Sequence, residues 1–148
     1  MRALSVLILA ATVAAGCAAP RPTDVVRGEA CWRCRRPINN VRLATEFVAD
    51  SGIGSKFRSV HCLSTWIAQQ AAVPGGRFYV TDYGTGEWIR ADQATYVNIV
   101  VDTNTMARDF VAFAVPSAAA ELARVEHAQT LDWNAVLEVG RTRPLDGN

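Results

Sequence analysis

Two cysteines separated by two residues, Cys31-Trp32-Arg33-Cys34, follow a short apolar leader that itself ends in a cysteine, Cys17. The leader predicts that the mature chain lies outside the cytoplasm at a membrane surface. Paired thiols in such a place form a disulfide, exchange with a redox partner or bind a soft metal ion. Each of these fates requires the fold to bring cysteines together, and this requirement constrains the chain more than any other feature.

Residues 1–16 have the layout of a bacterial lipoprotein signal peptide. A positive start is followed by an apolar run, and small residues stand directly before Cys17. Such a run is too short to span a bilayer as a mature helix, although a secretory signal cut near Ala19 would have a similar layout. We expect removal of residues 1–16, lipidation of Cys17, and a membrane anchor that faces the periplasm from the outer membrane. Residues 17–30 are then predicted to be a flexible tether.

The mature chain is electrically balanced, which argues against a nucleic-acid partner. The whole chain has 15 basic and 14 acidic side chains, and Arg2 is the one basic residue of the leader. The remaining 132 residues therefore carry no net charge and no broad basic field. Their number fits one compact domain, which we place at residues 31–140, followed by a tail over residues 141–148.

Apolar periodicity in the first half predicts the order β-β-α-β. Val41 to Ala49 alternates apolar and polar residues, and a glycine-containing turn leads to a second strand over residues 57–60. Residues 62–72 place apolar side chains on one helical face, and Pro74-Gly75-Gly76 ends that helix. Residues 78–81 complete the unit as a third strand.

The second half has a similar order, which suggests a repeated unit. Strands are predicted over residues 96–101, 110–114 and 129–131, with a helix over residues 116–126 that has Pro116 in its first turn. We therefore predict an α+β fold of two related β-β-α-β units in one compact domain, with halves at about 31–84 and 85–140. Any α+β chain could produce part of this pattern, so the repeat is a hypothesis.

Three thiols remain once Cys17 carries lipid, at Cys31, Cys34 and Cys62. An odd number leaves one thiol unpaired if the other two form a disulfide. A structural zinc site needs four ligands, and His61 is the candidate that would complete three cysteines. Soft sulfur ligands suit Cu(I) better. Cys62 is also predicted at a helix start, where the dipole favours a thiolate of low pKa, the alternative being a buried inert thiol.

Sequence motifs of catalysis are absent. The chain has no Ser/His/Asp set, paired-carboxylate signature, phosphate-binding loop or dinucleotide fingerprint. A thioredoxin-type Cys-x-x-Cys motif opens a helix after a strand, whereas here Pro37 follows closely and the preceding segment is predicted to be tether. The sequence therefore predicts that the protein is not an enzyme.

An ordered series of motifs resembles the NosL family, the copper-binding lipoproteins that accompany nitrous oxide reductase maturation. The family has a Cys-x-Met-Cys-x-Met motif after a lipidated cysteine, then a cysteine at a helix start, and then tyrosine- and tryptophan-containing segments. The corresponding segments here are Cys31 to Arg36, Val60-His61-Cys62, Tyr79 to Tyr83, Trp88 to Val97, and Met106 with Phe110 to Ala114. The likeness runs from Cys17 to about Val139 and implies two related β-β-α-β units and a Cu(I) site.

The chain departs from the family at both methionines of the first motif, which are replaced by Arg33 and Arg36. A guanidinium group cannot ligate copper. Three thiolates around one Cu(I) would carry excess negative charge, so we predict that these two arginines tune the charge near the metal. The candidate metal ligands are the three thiols, with one thioether and one imidazole: Cys31, Cys34, Cys62, Met106 and His61.

The resemblance implies a function in copper handling. We expect a Cu(I)-binding lipoprotein that passes copper to a periplasmic acceptor, such as nitrous oxide reductase or its assembly machinery. One alternative is a non-metal interaction module with a structural disulfide, either Cys31–Cys34 or Cys34–Cys62. Another is a zinc-binding structural domain that uses the three cysteines and His61.

Overall fold

The computed structural model describes residues 20–142, so the leader and Cys17 lie outside the described residues. Short 3-10 helices at Val41–Leu43 and Ala91–Gln93 precede the first strand of each unit. In chain order the strands and α-helices are β1 (Thr45–Ala49), β2 (Gly54–Phe57), α1 (Val60–Ala68), β3 (Gly76–Thr81), β4 (Trp88–Arg90), β5 (Thr95–Asp102), β6 (Ala107–Phe113), α2 (Pro116–Val125), β7 (Thr130–Leu131) and α3 (Trp133–Thr142). None of the helices in the described range has the length and apolar character that crossing a bilayer requires.

Two antiparallel sheets repeat one topology. The first sheet has the order β2-β1-β3-β4 and the second has the order β6-β5-β7. In each unit the first strand lies in the middle and pairs with the hairpin strand on one side and with the strand after the helix on the other. The prediction of an α+β fold with two related β-β-α-β units is therefore confirmed. A parallel bridge between Asp82 and Ala112 joins the two sheets.

Several predicted boundaries were wrong for local reasons. Residues 41–43 form a 3-10 helix because the side chain of Asn40 accepts a hydrogen bond from the Arg42 amide, so β1 begins only at Thr45. The second strand ends at Phe57, and Ser59, whose backbone is extended, caps with its side chain a helix that starts at Val60. A hydroxyl at this position accepts a hydrogen bond from an amide of the first turn that has no partner within the helix. This bond fixes where the helix begins.

Two elements were missed, and they change the division into halves. Strand β4 lies beyond residue 85 in sequence but extends the first sheet, because it pairs with β3. Helix α3 follows β7 and packs against α1 of the other unit. Gly140 of α3 is buried, and its Cα faces the backbone of Ser64 in α1. The two units are therefore fastened together by elements that lie outside the repeated pattern.

The buried core is divided among three clusters. The first lies between α1 and the first sheet and contains both buried cysteines, Cys31 and Cys62. The Trp66 ring lies 5.4 Å from Phe47 and 5.2 Å from Phe57, centroid to centroid, and covers this cluster. The second cluster lies between the units, and the third lies between α2 and the second sheet. The thiols thus belong to a packed core rather than to a surface loop.

Residues 20–30, which we call the strap, contact the domain instead of leaving it as a free tether. The Thr23 amide donates to the buried carboxylate of Glu46 at 2.9 Å, and the Tyr79 hydroxyl donates to the Pro20 carbonyl at 3.0 Å. Lys56 forms an ion pair of 3.2 Å with Glu29. The folded part therefore begins earlier than residue 31, and the expectation of a flexible tether was wrong for residues 20–30.

Candidate metal centre

Residues 28–38, which we call the cysteine loop, form a small hairpin that carries two of the thiols. The Gly28 amide donates to the Ile38 carbonyl at 3.0 Å, and the Ile38 amide donates to the backbone carbonyl of Glu29 at 2.8 Å. At the tip, the Cys31 amide donates to the Arg36 carbonyl at 2.9 Å. These bonds hold the Cys-x-x-Cys segment in one compact turn.

The turn closes through a left-handed residue. Arg35 has φ 61°, and its amide donates to the carbonyl of Cys31 at 3.0 Å. Non-glycine residues adopt this conformation uncommonly, so the surrounding bonds must impose it. The closed turn fixes the spacing of Cys31 and Cys34 before any ligand arrives.

The cysteine loop is attached to the edge of the first sheet. The Trp32 amide donates to the carbonyl of Lys56 in the edge strand β2 at 2.7 Å. Cys31 and Ile38 are fully buried, so the loop also contributes apolar side chains to the first core cluster. Because burial and backbone bonds act together, the loop is part of the folded core.

The third thiol comes from the first turn of α1. The Ser59 hydroxyl accepts a hydrogen bond from the Cys62 amide at 3.2 Å, which sets the start of the helix and the position of the thiol. Cys62 is fully buried, as is Cys31, whereas Cys34 is half-buried. The structure thus brings the sequence-distant thiol to the two thiols of the loop.

The three sulfur atoms have the spacing of a metal site. The Sγ atoms of Cys31, Cys34 and Cys62 lie within 4.8 Å of one another, and those of Cys34 and Cys62 are 3.8 Å apart. A metal–sulfur bond of about 2.3 Å would separate the sulfurs of a trigonal site by about 4 Å. The donor set therefore fits a soft metal ion with little movement. The three cysteines are free thiols, so the described residues contain no disulfide.

Hydrogen bonding within the group creates one favoured thiolate. The pKa of Cys31 is lowered, mainly by a hydrogen bond shared with Cys62, against the effect of burial and with further help from the backbone amides of Cys34 and Arg58. The same hydrogen bond raises the pKa of Cys62, and burial raises it further. The Cys31–Cys62 pair therefore loses its first proton easily and its second with difficulty.

The expectation of a low-pKa thiolate at Cys62 was therefore wrong, and the favoured thiolate is at Cys31. The helix start does supply a favourable dipole at Cys62. Full burial and the neighbouring Cys31 thiolate outweigh that dipole, because a second negative charge in an enclosed site is strongly disfavoured.

Sequence reasoning missed Arg58, which faces the thiols from the segment between β2 and α1. Burial lowers its pKa, but the interactions with Cys62 and the nearby charge of Cys34 outweigh this and raise it. Asp109 of β6 lies close by, and its carboxylate accepts from the His61 amide at 3.0 Å and from the Phe110 amide at 2.8 Å. Arg58 stands 27 residues from the first cysteine, so only the fold reveals its role.

His61 and Met106 are the two further ligand candidates from the sequence. Among the described residues, the side chains that lie close enough together to hold one metal ion are the three cysteines, and His61 is not one of them. The His61 ring instead lies 6.4 Å from that of Phe110, centroid to centroid, so the structure does not assemble a zinc site of three cysteines and this histidine. Met106 lies on the β5–β6 turn with φ 55° and a side chain that is 65% exposed.

The arginines of the cysteine loop lie on the surface side of the site. Arg33 is half-buried and Arg36 is exposed. Arg35 lies over the ring of Trp32, with its guanidinium carbon 5.8 Å from the ring centroid, and Trp32 is 54% exposed. The rim near Cys34 is therefore cationic and aromatic, and charge tuning by Arg33 and Arg36 stays a prediction.

Comparison with known proteins gives matches of two kinds. The family model NosL matches residues 23–138. The crystal structure of the copper chaperone NosL from Shewanella denitrificans is similar in fold, with a TM-score of 0.65 and 16% sequence identity over 78% of this chain and 94% of that chain. No curated protein sequence matches the chain significantly.

Proposed function

This chain belongs to the NosL family, and from that premise we propose that it binds copper as Cu(I) through Cys31, Cys34 and Cys62 and passes the ion to an acceptor protein. The observation that carries the proposal is the preassembled group of three thiols within 4.8 Å of one another. Membership of the family and the fold shared with a copper chaperone both support it.

The chemistry of the donor set favours Cu(I). Thiolates are soft ligands that select Cu(I), and three of them suffice for a trigonal site without a methionine. This matters because the positions of the family's two motif methionines hold Arg33 and Arg36 in this chain. Binding displaces the thiol protons, so affinity rises with pH until all three sulfurs are ionised.

Unequal burial supports release by ligand exchange. Cys31 and Cys62 are enclosed, whereas Cys34 reaches solvent. An incoming soft ligand can therefore bind the ion from the Cys34 side while two buried sulfurs still hold it. A carrier needs this property, because the ion must never be free during transfer.

The proposed setting is the periplasm. Lipidation of Cys17 would anchor the chain to the outer membrane, and the copper acceptor would be a periplasmic protein such as nitrous oxide reductase or its assembly machinery. The leader before Cys17 and the likeness to NosL support this setting. Globomycin-sensitive incorporation of labelled palmitate, lost in Cys17→Ala, would test the anchor separately from the metal site.

An anaerobic Cu(I) competition titration tests the metal proposal. Reduced protein from residue 18 onwards is expected to bind one Cu(I), and Cys31→Ser/Cys34→Ser and Cys62→Ser are expected to lose at least tenfold in affinity. His61→Gln and Met106→Leu serve as matched controls that leave the three thiols in place. Absence of Cu(I) binding by the unmodified protein, or full binding by the cysteine variants, would refute the proposal.

A second candidate follows from the separation of 3.8 Å between the Cys34 and Cys62 sulfurs. Two thiols this close need only a small movement to form a disulfide. In that form the protein would be an interaction module without metal. Counting free thiols in protein recovered from the periplasm separates the two functions, because the carrier retains three and the module retains one.

A further inference from the structure

A cleft of about 360 Å³ lies between the cysteine loop, the segment joining β2 to α1, and the β5–β6 hairpin of the second unit. Three arginines from these three segments line it, namely Arg36, Arg58 and Arg108. We call it the arginine cleft. It borders the thiol site, because Arg58 lines the cleft and also faces Cys62 and Cys34.

The acidic residues of the cleft are occupied by the chain's own amides. The Asp102 carboxylate accepts from the Asn104 amide at 2.9 Å and from the Thr105 amide at 3.3 Å. The Asp109 carboxylate is buried and accepts from the His61 and Phe110 amides. These hydrogen bonds leave the carboxylate charges in place, so the cleft holds three guanidinium groups against two carboxylates and has an excess of positive groups.

The charge of Arg108 is available to an anionic partner. Arg108 donates to neutral acceptors, the side-chain and backbone oxygens of Asn98, each at 2.7 Å. The Nε atom of Arg58 is buried and has no hydrogen-bond acceptor among the described residues. Arg58 is engaged on the thiol side of the cleft, where Cys62, Cys34 and Asp109 interact with it.

We propose that the arginine cleft receives an acidic segment of the copper acceptor and so directs the acceptor's metal ligand to Cys34. This inference rests on the proposed Cu(I) function and identifies the chemistry of the partner. Two observations favour a protein segment of negative charge. The cleft presents guanidinium groups from three separate segments, and it shares Arg58 with the thiol group, in which Cys34 is the half-buried member. An exposed Trp32 beside the site adds the aromatic contact that protein interfaces favour.

The transfer step involves no oxidation or reduction. A thioether or imidazole of the acceptor forms a bond to Cu(I), and the bond between Cu(I) and the Cys34 sulfur then breaks. The released thiolate takes a proton from water. The other two sulfurs leave in the same way as further acceptor ligands enter, so the ion stays Cu(I) throughout.

The test measures Cu(I) transfer from the loaded mature protein to two synthetic peptides. Both peptides carry the same Met-x-x-Met-His core, one with four flanking aspartates and the other with four flanking lysines. At low ionic strength the acidic peptide should receive copper about tenfold faster, since electrostatic steering changes association rates by this order. The difference should vanish as salt rises from about 0.01 M to about 1 M, where the screening length falls from about 30 Å to about 3 Å.

Variants locate the effect in the cleft. Arg108→Gln should reduce the preference for the acidic peptide several-fold, and Arg108→Lys, which keeps the charge, should restore most of it. Arg124→Gln is the matched control, because Arg124 lies on α2, whose contacts are with the second sheet. The comparison of peptides on the unmodified protein needs no variant, so a misfolded variant does not block the test.

The outcomes separate this inference from the proposed function. Failure to bind Cu(I) would overturn the proposed function, and the inference would fall with it. Tight Cu(I) binding with equal transfer rates to both peptides, or a preference that persists in Arg108→Gln, would overturn the acidic partner alone. A salt-sensitive preference that disappears in Arg108→Gln and survives in Arg124→Gln would support it.

Discussion

Replacement of Gly140 by alanine is expected to destabilise the protein, although alanine is the better helix former. A Cβ atom at this position would lie 2.7 Å from the Ser64 carbonyl carbon, 2.8 Å from its carbonyl oxygen and 2.8 Å from its Oγ. Ordinary carbon contacts lie at about 3.5–4.0 Å, so α1 and α3 would have to move apart by about 1 Å. The obstacle includes the backbone of a buried helix, which cannot rotate away.

The expected cost follows from two opposed contributions. Forcing extra atoms into a close-packed contact costs about 1–3 kcal/mol, and backbone obstruction places Gly140→Ala near the upper end. The higher helix propensity of alanine offsets about 1 kcal/mol of this cost. The free energy of unfolding should therefore fall by about 2 kcal/mol, which lowers the urea midpoint by about 1 M for a protein of this size.

Urea unfolding followed by tryptophan fluorescence measures this change. Ala120→Gly is the control, because Ala120 is an exposed residue of α2 and reports the propensity difference alone. We expect Ala120→Gly to cost about 1 kcal/mol. A Gly140→Ala protein that is as stable as the unmodified protein, or more stable, would refute the argument from helix contact. Cys62 precedes Ser64 by two residues, so loss of Cu(I) affinity should accompany loss of stability.

Three further predictions concern acids and thiols. Burial raises the pKa of Glu46 above its usual value of 4.5. The contribution of Glu46 to stability is therefore present below pH 4.5 and is lost as pH rises through the folded-state pKa. Glu46→Gln should remove that part of the pH dependence of the free energy of unfolding. Burial opposes the ionised form of Asp82, but amide hydrogen bonds, first that of Ala114, hold its pKa below the usual range. The free energy of unfolding of Asp82→Asn should therefore be about 1–3 kcal/mol lower than that of the unmodified protein at pH 7. Chemical denaturation should show this difference shrinking as pH falls below 3.8, and a difference that stayed constant there would contradict this reasoning. Diamide should join Cys34 to Cys62, whose sulfurs are 3.8 Å apart, and abolish Cu(I) binding until a reductant is added; peptide mapping that found another pairing would show that the thiols rearrange before they oxidise.

Local patterns in the sequence were sufficient for the repeated core of the fold. Apolar alternation and helical spacing are properties of neighbouring residues, and they indicated both β-β-α-β units in the correct order. The two missed elements differ in their local signals. Strand β4 has only three residues, so its sequence carries little periodicity, and its pairing with β3 specifies it. Helix α3 has a local signal, since the Asp132 carboxylate accepts a hydrogen bond from the Ala135 amide in its first turn; what the sequence did not reveal is the close contact of Gly140 with Ser64.

The chain's sequence by itself determined which atoms are available for the candidate metal site. Cys31 and Cys34 are closely spaced and other soft ligands are rare, so the sequence identified the three thiols as candidate ligands. Only the tertiary structure decided how those thiols behave. The fold buries Cys62 against Cys31, which moves the favoured thiolate to Cys31, and it brings Arg58 to face them. Ionisation in an enclosed site depends on burial and on charges a few ångströms away, and these distances arise from long-range packing that no local pattern records.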